Sequence, residues 1–358
     1  MSNKELIMNN ELLTRTECDA MRGIAIIGIF LHNYCHWLPG IVRENEYQYF
    51  QHNVDGLQGV LANPDLLLPV HLLSFFGHYG VPVFLFLSAY GLVQKYEKPR
   101  APHLEPTILG FTRYHFLKLF KMMIVGFAAF LLIDRMTPGP HHYHLTDVLA
   151  QLGMVNNILP NPDNIIWPGP YWFFGLMLQL YIVYRLCMYK RHWGWAVALM
   201  AICTALQIIC SPESEELNRL RYNFIGGMLP FGFGLIFARY GKDPQTGLWY
   251  WGTLIVATML VYSESLDYYT WYLVPPLVCM SCYGIVKVLP KILLKPLTWM
   301  GSISAALFVC HPITRKIIIP ISRHGDTYTG LLIYIITSIA LAWLFKEIMN
   351  RLPNPKKI

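Results

Sequence analysis

The sequence predicts an all-α, polytopic membrane protein with about ten transmembrane helices. Of its 358 residues, 54% are hydrophobic and only 14% are charged. The hydrophobic residues fall in blocks of about 17–25 residues, which is the length that a helix needs to cross a bilayer. The polar segments between these blocks are short, so we expect a single membrane domain over residues 1–358 and no separate soluble domain.

The hydrophobic blocks give the order of the helices. We expect helices at residues 21–38, 70–94, 118–136, 170–189, 194–210, 222–239, 248–264, 270–288, 297–314 and 329–349. Between the third and the fourth of them, a stretch rich in Pro, Asn and His predicts a short interfacial helix near residues 146–158, followed by turns.

The distribution of Lys and Arg predicts the orientation of these helices. With both termini in the cytoplasm, 21 of the 28 basic residues lie on the inner side. The other seven lie on the outer side: Arg43, Arg135, Arg219, Arg221, Arg315, Lys316 and Arg323. This asymmetry is typical of cytoplasmic loops. We therefore expect the loop 95–117 to face the cytoplasm and residues 39–69 and 137–169 to face outward, in an inner (cytoplasmic) membrane.

Two classes of partner or cofactor are not expected. The net charge of +7 is spread over loops that face anionic lipid, and no soluble basic domain is present to bind a nucleic acid. The eight cysteines lie mostly within or beside hydrophobic blocks, where we expect small core residues. Cys279 and Cys282 form a CxxC pair inside a helix without a second pair, so we expect no metal centre there.

Histidine is the expected base for any chemistry within the membrane. The acidic residues near the helices all lie at or beyond helix ends: Asp19, Asp134, Glu264, Asp267 and Glu347. The first helix holds His32, ten residues or about 15 Å beyond Arg22, and His36 one turn further on the same face. Two alternatives remain: the pair is hydrogen-bonded to neighbouring helices, or it binds zinc, for which the sequence offers no evident third ligand.

Three stretches of the sequence resemble motifs of one family. They are GVPVFLFLSAYG at 80–91, WFFGLMLQLY at 172–181 and SISAALFVCHP at 302–312. In this order they resemble the acyltransferase type 3 family, integral membrane enzymes that move acyl groups onto hydroxyls of glycans and related molecules. The resemblance covers most of the chain, and it implies an acyl-CoA donor, usually acetyl-CoA.

The first helix resembles the same family with one departure. Members typically have Arg-Gly at its start and a His eleven positions after the Arg. Here Arg22 is followed at that distance by Asn33, and His32 is one position earlier. Either a local bulge re-aims His32, or Asn33 fills the family position while His32 or His36 acts beside it. We favour His32 as the base.

Other site residues are implied by the resemblance alone. Trp172, Gln179 and Tyr181 have the spacing of the fourth-helix motif, which would place them at the substrate, although the Glu that many members carry between them is absent here. His311, before Pro312, matches a C-terminal His-Pro signature and is a further catalytic candidate. Each residue also has an ordinary interpretation: helix packing, interface anchoring or a proline kink.

The donor site is expected on the cytoplasmic side. Lys118 and Lys121 stand where members often have a basic pair, and with Arg113 and Arg22 they are candidates to bind the phosphates of acyl-CoA. The same residues are also ordinary positive-inside anchors. Lys in place of Arg keeps the charge and loses the bidentate geometry.

We therefore predict a membrane O-acyltransferase that moves an acetyl group from acetyl-CoA to a hydroxyl of a cell-surface glycan or lipid-linked sugar. The alternative from another class is a transporter or flippase of a glycan lipid or small solute. A third interpretation is a non-catalytic partner in a glycan-assembly complex. The sequence leaves the acceptor, the acyl chain length and the oligomeric state open.

Overall fold

The computed structural model describes residues 12–98 and 105–356, and within these ranges it contains helices and no strand. The helices are α1 (Arg15–Cys35), α2 (Gln51–Ala62), α3 (Leu68–Phe76), α4 (Gly80–Leu92), α5 (Ile108–Met136), α6 (Leu145–Leu152), α7 (Pro162–Ile165), α8 (Trp172–Val183), α9 (Trp193–Ile208), α10 (Glu215–Tyr222), α11 (Phe224–Tyr240), α12 (Gly247–Glu264), α13 (Tyr268–Trp271), α14 (Val274–Val288), α15 (Lys291–Arg323) and α16 (Thr327–Arg351). The all-helical class is confirmed.

Each of the ten predicted spans overlaps a helix. Within the described part of the chain, five helical segments are long and apolar enough to cross a membrane: Leu68–Glu97, Ile108–Met136, Gly169–Met188, Lys291–Arg323 and Thr327–Arg351. Three shorter apolar helices accompany them: Trp193–Ile208, Phe224–Tyr240 and Val274–Val288. The count of ten and the cytoplasmic termini stay predictions. Part of the predicted inner loop, including Arg100, lies outside the described residues.

Helix α1 begins six residues before the predicted start. The Thr14 side chain accepts a hydrogen bond from the Glu17 backbone N–H, and the Glu17 carboxylate accepts one from the Thr14 N–H. This capping box satisfies two backbone donors that the first turn leaves without partners, so the helix forms from Arg15. Arg22 consequently lies in the second turn rather than at the helix start.

Helix α1 packs most closely on α15, through glycines. A Cβ added to Gly301 would lie 1.8 Å from the backbone oxygen of Asp19, and one added to Gly23 would lie 2.0 Å from that of Leu297. The two backbones are therefore in direct contact along the N-terminal half of α1. Helix α15 also continues past Pro312 to Arg323, so the predicted span 297–314 is too short.

The predicted helix 70–94 is interrupted. Helix α3 ends at Phe76, a 3₁₀ turn covers Gly77–Tyr79, and α4 starts at Gly80. Gly77 lies against α1, where an added Cβ would be 2.6 Å from the His32 Cβ. This break lets the chain pass close to the C-terminal half of α1, and only a residue without a side chain fits at the contact.

The segment after α1 folds back onto α2 and α3. Ser74 donates a hydrogen bond to the Val42 backbone oxygen at 2.6 Å, and the Val42 N–H donates to His71 Nδ1 at 3.1 Å. The Asn53 side chain donates to the Glu44 backbone oxygen at 2.9 Å. These contacts hold residues 42–50 over the C-terminal end of α1. At the predicted helix 146–158 the structure has α6, followed by a 3₁₀ turn at Asn156–Ile158, and its position at the membrane interface stays a prediction.

Candidate functional site

A polar cavity of about 260 Å³ opens at the C-terminal end of α1. We call it the histidine cavity. Among the described residues, its polar and aromatic lining comprises three histidines, three carboxylates, three tryptophans, two tyrosines, one phenylalanine, one amide and one cation: His32, His36, His78, Glu44, Glu46, Asp163, Trp37, Trp167, Trp172, Tyr47, Tyr222, Phe308, Asn33 and Arg315. Sequence analysis placed His32, Asn33, His36 and Trp172 among the site residues, and the fold brings these four together.

His32 is held with one ring nitrogen available. The side chain is 2% exposed, and its Nδ1 lies 2.7 Å from the backbone oxygen of Ser74. Because a carbonyl oxygen only accepts, the proton of neutral His32 is on Nδ1, which leaves a lone pair on Nε2. Helix α1 is regular at this point, so no bulge re-aims His32. Instead, helix α3, which ends just before the 3₁₀ turn, brings the backbone oxygen of Ser74 next to His32.

Glu44 faces this lone pair. Its Oε1 lies 3.7 Å from His32 Nε2 and 2.9 Å from His36 Nδ1. Burial by itself would raise the pKa of Glu44, but the imidazoles of His36 and His32 outweigh burial and hold that pKa below its usual range. Glu44 is therefore a carboxylate, suited to stabilise a positive charge on His32.

Arg315 of α15 supplies the positive charge of the cavity. Its Nη1 donates to the backbone oxygen of Asn33 at 3.2 Å and to the Asn33 side-chain oxygen at 3.3 Å. The guanidinium also lies over the Trp37 ring, at 5.3 Å from its centroid. Because a guanidinium carries five N–H donors, Arg315 retains donors for an anionic group in the cavity. Asn33 therefore positions Arg315.

Aromatic rings form the opposite wall. Tyr47 and Tyr222 stack at 4.0 Å between ring centroids, and Trp172 meets both of them edge-on. The Tyr222 hydroxyl donates to Asp163 at 2.6 Å. Burial, followed by the neighbouring Glu44, raises the pKa of Glu46 to about 8. This wall presents apolar ring surface together with carboxyl oxygens.

His311 is buried near this cavity and does not line it. Its Nδ1 contacts the Leu307 backbone oxygen at 3.0 Å, and its Nε2 has no hydrogen-bond partner among the described residues. The ring lies 6.0 Å from that of Phe308, which does line the cavity. His311 thus contacts a residue that lines the histidine cavity, but it does not reach the cavity itself.

A second cavity, of about 630 Å³, lies at the N-terminal end of α1. We call it the basic cavity, since four cations and one carboxylate line it: Arg15, Arg22, Lys95, Lys118 and Asp19. Arg22 pairs with Asp19 at 2.6 Å. The excess of positive charge suits a polyanionic ligand.

The basic cavity also has a polar and aromatic side. Tyr181 contacts the Ser88 hydroxyl at 3.0 Å, and its ring lies 4.3 Å from that of His115. His115 is 4% exposed, and its Nδ1 has no hydrogen-bond partner among the described residues. Ser88, His115 and Tyr181 all line the cavity. The sequence pointed to Tyr181 and did not single out His115.

Besides His311, three expected site residues lie outside both cavities. Lys121 donates to the Leu352 backbone oxygen and to Asn354, so it fastens the end of α16. Gln179 bridges Asn157, Asn223 and the backbone N–H of Phe224, and these bonds use both ends of its amide. Arg113 is exposed on α5 and lines neither cavity.

The histidine cavity also contains a set of possible metal ligands. One ligand atom each of His32, His36 and Glu44 lies within 4.8 Å of the others. Two histidines and a carboxylate are a donor set that zinc accepts. The sequence did not show Glu44 as a third ligand, because it lies eight residues beyond His36 in a loop without periodic pattern.

The comparisons with known proteins point to one family. A family model described as an acyltransferase domain matches residues 15–347, which is nearly the whole described chain. No curated protein and no solved structure matches the chain. With its long apolar helices, the chain is a multi-pass membrane protein, and it belongs to the acyltransferase type 3 family, as its motifs indicated.

Proposed function

We propose that this protein transfers an acetyl group from acetyl-CoA to a hydroxyl of a cell-surface glycan or lipid-linked sugar, in an inner (cytoplasmic) membrane. The observation that carries the proposal is the placement of His32 Nε2, a fixed lone pair, beside Glu44 in a cavity that Arg315 also lines. A base, its counter-charge and an anion-stabilising cation are the groups that acyl transfer to a hydroxyl needs.

The proposed reaction has two steps. The acceptor hydroxyl oxygen attacks the thioester carbonyl carbon while its proton passes to His32 Nε2, and Glu44 stabilises the imidazolium. The carbonyl oxygen becomes an oxyanion, which the N–H donors of Arg315 stabilise. The carbonyl then re-forms, the C–S bond breaks, and the CoA thiolate takes the proton from His32. The products are an ester and free CoA, and no oxidant is needed.

Charge supports the assignment of the two cavities to the two substrates. CoA carries several phosphate charges, and the basic cavity offers Arg15, Arg22, Lys95 and Lys118. This cavity lies at the end of α1 that the basic residues predict to be cytoplasmic, where CoA is found. The histidine cavity then faces outward, where a surface glycan arrives.

The lining of the histidine cavity supports a sugar acceptor. Flat aromatic rings pack against the apolar faces of sugars, and carboxyl groups accept hydrogen bonds from hydroxyls. Tyr47, Trp172 and Tyr222 provide the rings, while Glu46 and Asp163 provide the carboxyls.

The test uses the purified protein in lipid vesicles with labelled acetyl-CoA and cell-envelope extract. We expect a labelled, base-labile glycan product, and His32→Ala should lower the transfer rate by roughly 10²–10⁴-fold, as for a lost general base. The exposed His52 of α2 provides the control, since His52→Ala should be silent. An active His32→Ala protein would refute the assignment of the base.

Two further arms address the competing interpretations. Activity should persist after treatment with EDTA, because the proposed base needs no metal. Loss of activity with EDTA and recovery with zinc would instead make His32, His36 and Glu44 metal ligands. Movement of a fluorescent lipid-linked sugar across the bilayer without acyl-CoA would favour a flippase.

A further inference from the structure

Among the residues that the structure describes, the two cavities share one. Phe308 lines both the histidine cavity and the basic cavity. Its side chain is 7% exposed. A residue that lines two cavities lies between them, so the ring of Phe308 is part of what separates the histidine cavity from the basic cavity.

The position of Phe308 along α15 fits this role. Ser304, one turn or about 6 Å earlier, lines the basic cavity, whereas Arg315, about 10 Å later, lines the histidine cavity. The helix α15 therefore runs from one cavity to the other with Phe308 between them. Helix α8 repeats the pattern, since Trp172 lines the histidine cavity and the next residue, Phe173, lines the basic cavity.

The ring of Phe308 rests on other aromatic rings. Its centroid is 5.1 Å from that of Phe173 and 6.0 Å from that of Phe174. The ring of His311 is also near, at 6.0 Å between centroids. Such a partition is apolar and rotates about two side-chain bonds without breaking any hydrogen bond, so its displacement costs little compared with that of a polar barrier.

We propose that Phe308 is the specificity-determining residue for the acyl chain. The inference rests on the proposed function: a thioester bound through CoA in the basic cavity reaches His32 only past this ring. The acyl group enters the histidine cavity ahead of its carbonyl carbon and shares about 260 Å³ with the acceptor. A full-size ring at position 308 therefore limits the acyl group to a short one.

The experiment compares acetyl-CoA with hexanoyl-CoA as donors for Phe308→Ala and for wild type. Since each methylene that a pocket accepts or rejects changes kcat/KM by roughly 10-fold or more, the hexanoyl-to-acetyl ratio should rise at least about tenfold in Phe308→Ala. Phe308→Trp should lower kcat for both donors while CoA binding stays unchanged. Phe127→Ala is the control, because Phe127 is also buried and lines neither cavity.

A second readout does not depend on activity. Cysteine at position 304 lies in the basic cavity, so a charged thiol reagent added on the side of residues 137–169 should label Ser304→Cys only when Phe308→Ala is also present. Equal labelling with and without Phe308→Ala, or an unchanged donor ratio in an active Phe308→Ala protein, would overturn this inference. A wild-type protein that neither transfers nor hydrolyses acetyl-CoA would instead overturn the proposed function.

Discussion

Removing the charge of Glu44 should slow acyl transfer without weakening donor binding. Glu44→Gln keeps the shape of the side chain and removes the carboxylate that lies 3.7 Å from His32 Nε2. At this distance, opposite unit charges attract by about 1 kcal/mol in water and by about 4–5 kcal/mol at an effective dielectric constant near 20. In the proposed mechanism His32 carries the charge in the transition state and not in the ground state, so the loss corresponds to roughly a 10- to 10³-fold decrease in kcat.

The assay is acetyl transfer by purified protein, with kcat and the KM for acetyl-CoA determined separately. KM should stay near the wild-type value, since the basic cavity lies at the other end of α1. Glu44→Asp should recover part of kcat, and Asp55→Asn, on the exposed face of α2, should be silent. Wild-type kcat in Glu44→Gln, alongside an inactive His32→Ala, would mean that the base works without its carboxylate.

Three more predictions test the donor site, the acidic wall and the helix contact. Lys118→Glu should raise the KM for acetyl-CoA roughly tenfold, as expected for a lost charge-assisted contact, while Lys121→Glu should change it far less; equal effects would place both in the donor site. The pKa of Glu46 is raised to about 8 from 4.5, so between these pH values the folded protein holds a proton that the unfolded chain releases, and stability should fall as the pH rises through this window. The Tm of Glu46→Gln should therefore rise relative to that of wild type between pH 5 and 8. Parallel curves of Tm against pH for the two proteins would contradict this. Gly301→Ala, whose Cβ would meet a backbone oxygen of α1 at 1.8 Å, should destabilise the protein by about 1–3 kcal/mol in thermal unfolding, whereas Gly252→Ala, with nothing within 4 Å, should not.

The sequence predicted the helices well because their signal is local. Hydrophobic blocks of membrane-spanning length are visible without knowledge of packing. The predictions were wrong at positions where a tertiary contact determines where a helix breaks or ends. The break before Gly80 follows from the close approach of Gly77 to α1, and the extension of α15 past Pro312 follows from its packing, which no periodic pattern announces.

The candidate site was predictable only in part, for the same reason. His32 and His36 stand out because polar side chains are costly in an apolar helix. Glu44 lies in a loop, where a carboxylate is unremarkable until the loop folds back over α1. Gln179 shows the reverse case: it matched a family motif, and its amide is used entirely in hydrogen bonds to α11 and the segments near it.

The backbone contact between α1 and α15 has a mechanical consequence. Gly23 and Gly301 bring the two helices together with no side chain between them, so the two backbones resist any change in their separation. Residues of α1 and α15 line both cavities, so the contact between these two helices also fixes the distance between the cavities. A protein that exposes its site alternately to each side by rocking two halves would have to break this contact. With this contact intact, the donor of the proposed reaction would have to span the distance between the cavities as an extended, flexible chain.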